Sequence, residues 1–166
     1  RDQALDANQS FIVQAPAGSG KTGLIVQRYL VLLARVKEPE EIIAITFTRK
    51  AAGEMRGRII EALRAAEAEP APGKEHEHAR HTWNLARQAL EQDRACGWCL
   101  LEQPGRLRIQ TIDSLCAMLA RQMPMLSDFG ATPEITDRPE ELYKEAAVNT
   151  IAELETGEGW SGSVAH

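Results

Sequence analysis

Residues 15–22 read Ala15-Pro16-Ala17-Gly18-Ser19-Gly20-Lys21-Thr22, two glycines followed by a lysine and a hydroxyl. That grouping can hold a phosphate. Gly18 and Gly20 let the backbone bend tightly enough to aim several N–H groups at one point. A helix that begins directly after the loop adds its free N–H groups and the positive end of its dipole. Lys21 would reach the β- and γ-phosphates as a point charge, and Thr22 would offer its hydroxyl to Mg²⁺. The general pattern asks for glycine at the first position, where this chain has Ala15; the chemistry is left intact. The alternative is a glycine-rich turn with no ligand.

A second group is Ile45-Thr46-Phe47-Thr48-Arg49-Lys50. An aromatic beside two cations could stack a base and hold a phosphate. The same residues also suit an ordinary capped helix with a solvated Arg-Lys start. A third group is Cys96-Gly97-Trp98-Cys99, with His76, His78 and His81 upstream. Two cysteines and two histidines can make a tetrahedral zinc set, but the spacing matches no standard finger. The reading taken here is a helix end with Trp98 packed and the cysteines partly buried as small apolar groups.

Three elements must position the first two groups. Phe11-Ile12-Val13 reads as a buried strand leading into the loop. Leu24, Ile25, Val26, Tyr29, Leu30 and Leu33 recur at helical spacing, which predicts a helix over 21–35. Glu38-Pro39-Glu40-Glu41 breaks it. Ile42-Ile43-Ala44-Ile45-Thr46 is β-branched and does not alternate, as expected of a strand covered on both faces of a parallel sheet. Two such strands joined by one amphipathic helix make a right-handed βαβ unit. Thr48 fits the N-cap of a helix over 49–66, with Ala51, Met55, Ile59 and Leu63 on its apolar stripe.

Beyond that unit, residues 67–78 read as a surface connection and 79–95 as a helix with Trp83, Ala86 and Leu90 inward. Leu107-Arg108-Ile109-Gln110 alternates and predicts a third strand. A helix over 111–123 should turn Leu115, Met118 and Leu119 inward. Residues 124–138 read as a loop, 139–155 as a final helix, and 157–166 carry no core signal.

The 166 residues fit about one domain. Hydrophobic content of 43% and charged content of 26% are ordinary for a globular protein. No run of about 18 apolar residues predicts a membrane span. Three cysteines fit a reducing compartment, and the expected location is cytoplasmic. The net charge of −5 is uneven: residues 1–66 carry 10 Lys and Arg against 7 Asp and Glu, residues 67–166 carry 9 against 17. Positive charge therefore gathers in the half that holds the glycine loop, which is compatible with polyanion binding on one face.

Residues 11–59 resemble the start of a superfamily 1 DNA helicase of the UvrD/Rep type. The resemblance rests on Ala15–Thr22 paired with Ala44-Ile45-Thr46-Phe47-Thr48-Arg49-Lys50-Ala51-Ala52-Gly53-Glu54-Met55. Ile109-Gln110-Thr111-Ile112-Asp113-Ser114-Leu115-Cys116 is similar to the family's next DNA-contacting motif. Phe129–Ile135 and the helix near Glu140 resemble the RecB/AddA branch, the helicase-nucleases of double-strand break repair.

The resemblance implies an α/β fold: a P-loop NTPase (RecA-like) parallel sheet with helices, plus the start of a helical inserted subdomain. Residues 1–111 would be the first part of the first RecA-like domain, with a helical excursion at about 67–106, and 112–166 the start of the insertion. It implies ATP with Mg²⁺, held by Ala15, Pro16, Ala17, Gly18, Ser19, Gly20, Lys21 and Thr22. Phe47 would face a base of single-stranded DNA, Thr48 and Arg49 the backbone nearby, and Thr111 and Ser114 a phosphate. A partner subunit of a helicase-nuclease complex is implied, and no membrane.

The chain departs from the family pattern at three points. Asp113 stands where the family often has His. Gly23 stands where it often has an Arg that stacks on adenine. The adenine-reading glutamine would fall about one residue before Arg1. The chain also shows no Asp-Glu pair ending an apolar strand, no second motor domain and no nuclease motif, so it reads as an N-terminal fragment of a longer helicase. The competing readings are another P-loop NTPase such as a nucleotide kinase, and a passive docking module of a repair complex.

Overall fold

Two β-branched runs more than sixty positions apart find each other and form a parallel pair. The computed structural model describes residues 2–16, 18–122 and 138–154. Ile43–Thr46 (β1) and Arg108–Thr111 (β2) align with Ile43 opposite Arg108 and Thr46 opposite Thr111. Parallel strands cannot be joined by a tight turn, so the chain between them must return along the sheet. It returns as two helices, Arg49–Ala68 (α2) and Glu77–Cys96 (α3). These pack on each other and on the earlier helix Lys21–Leu33 (α1). Leu30 and Leu33 of α1, Ile59 and Leu63 of α2, and Ala86 and Leu90 of α3 meet in the core.

Each helix has a local reason to start or stop. Thr48 caps α2, its hydroxyl accepting the Ala51 N–H at 3.1 Å. Of the expected α2 stripe, Met55, Ile59 and Leu63 are buried, while Ala51 is half-buried and Ala52 is buried beside it. At the end of α3, Gly97 takes φ 68 and its N–H bonds the Asp93 carbonyl. The left-handed turn favours glycine there. It drops Trp98 into the core at 1% exposure, with its indole N–H on the Lys37 carbonyl at 3.0 Å. The Asp93 carboxylate accepts the Leu100 N–H at 3.1 Å and locks the same turn.

Just before each strand stands one partner of an ion-pair cluster. Arg106 bonds Glu40 at 2.7 Å and Glu38 at 2.8 Å, fixing the entry edge of the pair. Its guanidinium holds the Glu40 carboxyl below the usual carboxylate range.

Several expectations need correction. Phe11-Ile12-Val13 is not a buried strand: it pairs with no strand among the described residues, and the three residues are 37%, 100% and 47% exposed. A strand exists only as part of a ladder, and β1 and β2 are the strands of the sheet among the described residues. The parallel unit is therefore β1–α2–α3–β2 rather than one built across α1. β1 is covered on one face only, since Ile43 and Ile45 are exposed. Cys96 and Cys99 are exposed thiols, because the turn at Gly97 sends only the bulky Trp98 inward.

The helix after β2 is Ile112–Gln122 (α4), where Leu115 and Met118 are half-buried but Leu119 is exposed, contrary to the expected inward stripe. The connection expected over 67–78 is shorter, because α2 runs on to Ala68 and a 3-10 turn at Lys74–His76 leads into α3. The expected loop at 124–138 but for its last residue, the tail 157–166 and the branch resemblance at Phe129–Ile135 lie outside the described residues.

The chain divides into two units, Arg1–Leu119 and Ala120–His166. The first holds α1, β1, α2, α3 and β2. The second holds Pro139–Leu154 (α5), close to the final helix expected from the sequence.

Candidate functional site

The glycine loop opens α1. Gly18 and Gly20 adopt φ 77 and φ 81, and a Cβ on either would meet nothing within 4 Å. Backbone dihedral, not space, is therefore what requires glycine at both positions. Gly20 immediately precedes α1, and neither a capping side chain nor an acidic residue serves the first turn. The helix thus presents its leading N–H groups and positive dipole end with no side chain to answer them.

The Lys21 ammonium folds back over the loop, donating to the Ala15 carbonyl at 2.7 Å and the Pro16 carbonyl at 2.6 Å. Ser19 and Thr22 are exposed, and Ala15 and Gly23 are half-buried. Ala17 lies outside the described residues. A cavity of about 190 Å³ lies against the loop, lined by Val13, Ala15, Ser19, Gly20, Lys21 and Leu24, with no carboxylate among them. An uncapped helix start, an adjacent ammonium and a free hydroxyl make a donor set that suits a polyphosphate with its Mg²⁺.

The second group of residues gathers at the carboxyl ends of β1 and β2. Thr46 and Thr111 are register partners, so the chain leaves both strands side by side. Phe47 follows β1 directly and is 87% exposed. Arg49 and Lys50 are exposed in the first turn of α2, which has no acidic residue. A helix dipole disfavours cations at that end, so their placement favours an anion close by. Thr48 has its hydroxyl oxygen engaged in the cap.

At β2 the hydroxyl of Thr111 is buried, accepts the Ser114 N–H at 3.2 Å and meets the Ser114 hydroxyl at 2.9 Å. Ser114 is the exposed member of that pair, and Asp113 beside it is exposed as well. The fold thus brings Phe47, Thr48, Arg49, Thr111 and Ser114 to one sheet end. The glycine loop opens a different helix, packed on α2 and α3.

Two arginines escape a motif-based reading. Arg56 of α2 donates to the Ile109 carbonyl at 2.8 Å and ties α2 to β2, just before Thr111. Arg28 donates to the carbonyls of Ala4, Asp6 and Gln9 and stands over the Phe11 ring. The available signal for Arg28 is its spacing: seven residues beyond Lys21 is two helical turns on the same face. His78 bonds the Gln27 amide at 3.0 Å, and no group of three His, Cys, Asp or Glu among the described residues is placed to hold a metal ion. No helix among them is long and apolar enough to cross a membrane.

The family model described as UvrD/REP helicase N-terminal domain matches residues 1–158. An ATP-dependent helicase/nuclease subunit of Syntrophomonas wolfei subsp. wolfei is 32% identical over 166 residues, covering 98% of this chain and 12% of its own length. The protein of the same name from Anoxybacillus flavithermus is 34% identical over 157 residues, covering 91% of this chain and 11% of its own. That from Bacillus mycoides is 31% identical over 160 residues, covering 93% and 11%. The chain spans about a tenth of the length of these relatives. No solved structure matches it significantly.

Proposed function

This chain belongs to the UvrD/REP helicase N-terminal domain family, and on that premise we propose that it is the ATP-binding segment of an ATP-dependent DNA helicase that moves along single-stranded DNA in repair or recombination. Residues 1–111 form the first part of a RecA-like domain, and 112–166 begin its helical insertion. The relatives are named as subunits of a helicase/nuclease, which supports a protein that works with a nuclease and a partner chain; the location proposed with it is the cytoplasm.

The observation that carries this reading is the loop at 15–22. Two left-handed glycines, a helix start without a side-chain cap and a lysine six residues past Ala15 converge on one point. The Gly18–Gly20 backbone and the α1 N-terminus hold the phosphates. Lys21 leaves the Ala15 and Pro16 carbonyls and neutralises charge at the β- and γ-phosphates. Thr22 would offer its hydroxyl to Mg²⁺, which would supply positive charge against the phosphates when bound. At the sheet end, Phe47 stacks on a base, Arg49 contacts a phosphate, and Thr48 and Ser114 with Thr111 behind it complete the strand-tracking surface.

The test is Lys21→Ala in the full-length protein. A charge-assisted phosphate bond is worth roughly 1.5–3 kcal/mol, and more where charge develops in the transition state. DNA-stimulated ATP hydrolysis and unwinding should both be lost, with single-strand binding in the absence of nucleotide retained. A variant that hydrolyses ATP like its parent would sink the reading.

A further inference from the structure

We infer that Arg28 is a positioning residue for the nucleotide, acting through the chain segment that enters the phosphate loop. The inference rests on the phosphate-loop reading and adds a residue to it. Arg28 sits on α1 two turns beyond Lys21, on the same face. Its guanidinium donates to the Ala4 carbonyl at 2.6 Å, the Asp6 carbonyl at 3.1 Å and the Gln9 carbonyl at 2.8 Å. It also lies 5.4 Å from the centre of the Phe11 ring. One side chain therefore gathers residues 4–11 onto the helix that bears Lys21.

Residues 11–13 continue straight into Ala15 and Pro16, whose carbonyls anchor Lys21. Those residues have no strand partner among the described residues. The loop is thus bracketed: its exit is the first turn of α1, and its entry is clamped to the second and third turns of the same helix by Arg28. A cavity of about 260 Å³ between the two arms is lined by Phe11, Val13, Lys21, Leu24 and Arg28 among others, and shares Val13, Lys21 and Leu24 with the cavity at the loop.

A loop carrying two left-handed glycines is costly to order. Fixing its entry in advance removes that cost from binding. Arginine is needed rather than lysine because a planar fork reaches several carbonyls at once, whereas an ammonium is a point donor.

The experiment uses the full-length protein, with its partner chains where it has them. Steady-state ATP hydrolysis is compared for the parent, Arg28→Ala, Arg28→Lys and Lys21→Ala. Releasing about one backbone residue's worth of order predicts a KM for ATP raised about tenfold in Arg28→Ala. The kcat should stay within about twofold, since nothing made only in the transition state is removed. The KM for single-stranded DNA should not move. Arg28→Lys should recover only part of the loss. Amide exchange over residues 5–13 without nucleotide should speed up in Arg28→Ala.

An unchanged KM for ATP overturns the proposal, whether or not the amides exchange faster. So does a fall in kcat that accompanies a lower melting temperature with KM unmoved, the mark of an arginine that only supports the fold. If Arg28→Ala does not fold, Phe11→Ala, which removes the ring under the guanidinium, should raise the same KM by a few-fold; a flat KM there overturns the proposal equally. Turnover that survives Lys21→Ala overturns the phosphate-loop reading and the bracket with it. Loss of turnover in Lys21→Ala beside a parent-like Arg28→Ala overturns the bracket alone.

Discussion

Phe47 is the residue at which two readings of the sequence part. A phenylalanine directly after an apolar strand is as well suited to a core as to a ligand. At 87% exposure it contributes almost nothing to the core. Phe47→Ala should therefore change stability by no more than about 0.5 kcal/mol, as for an ordinary surface site. A buried phenylalanine would lose about 3–5 kcal/mol. Single-strand binding by the full-length protein should weaken instead by about 1–3 kcal/mol, with little dependence on base sequence. Thermal melting and equilibrium binding on one variant separate the cases; a stable variant that grips DNA as well as its parent removes Phe47 from the site.

Tyr29 shows the opposite situation. It is 3% exposed, and burial pushes its phenol up from 10.0 to about 12. The neutral phenol is the form that folding favours, so its contribution is fully present below pH 10 and is lost as pH rises through about 12. Stability should fall across that window by about 2–3 kcal/mol at 1.36 kcal/mol per unit. Phenolate absorbance assigned by difference against Tyr29→Phe checks it; ionisation near pH 10 in the folded chain would contradict the burial.

At the scale of elements, α3 and the strand that follows it are joined by Asp93, Gly97 and Trp98. The Asp93 carbonyl and carboxylate take the N–H groups of Gly97, Trp98 and Leu100. The Trp98 indole reaches across to the Lys37 carbonyl, beside the entry to β1. Both chain segments that enter the sheet thus lean on one buried indole. Trp98→Ala should cost about 3–5 kcal/mol. Because β1 and β2 hold their register through this region and the Arg106–Glu38–Glu40 cluster, single-strand binding should fall with stability rather than independently of it. Cys99→Ser, one residue on and exposed, serves as the control and should melt like the parent.

At the scale of the whole molecule, the two candidate sites belong to different elements. The proposed phosphate site lies at the start of α1, and the residues proposed to face DNA lie where β1 and β2 end. ATP hydrolysis needs further parts: a carboxylate to activate water and a cation for the transition state. Among the described residues, no carboxylate lines the loop cavity. The 166 residues alone should therefore turn over ATP far more slowly than the full-length protein and gain little from added DNA. Robust DNA-stimulated hydrolysis by this chain, measured as phosphate release, would contradict that.

What the sequence determined by itself was local. The glycine loop, the start of α1, the Thr48 cap and the final helix depend on neighbours within a few residues, and each lies within a few positions of its expected place; the extended character of 43–46 and 108–111 is legible in the same way, though not the ladder that makes them strands. Glycine dihedrals, a cap hydroxyl and β-branched side chains act over that distance, so they can be read along the chain. Tertiary structure decided what depends on a partner far away. Phe11-Ile12-Val13 has the composition of a strand but finds among the described residues no second backbone that would make it one. Thr111 comes beside Thr46 through a parallel pairing that only the packed α2 and α3 return can create. Trp98 turns inward while its cysteine neighbours stay out, because the dihedral at Gly97 selects the side chain that finds the core. Arg28 finds three carbonyls that spacing from Lys21 could suggest but not identify. A side chain's partners across the fold depend on how helices pack, and packing is a property of the folded chain rather than of any short stretch of it.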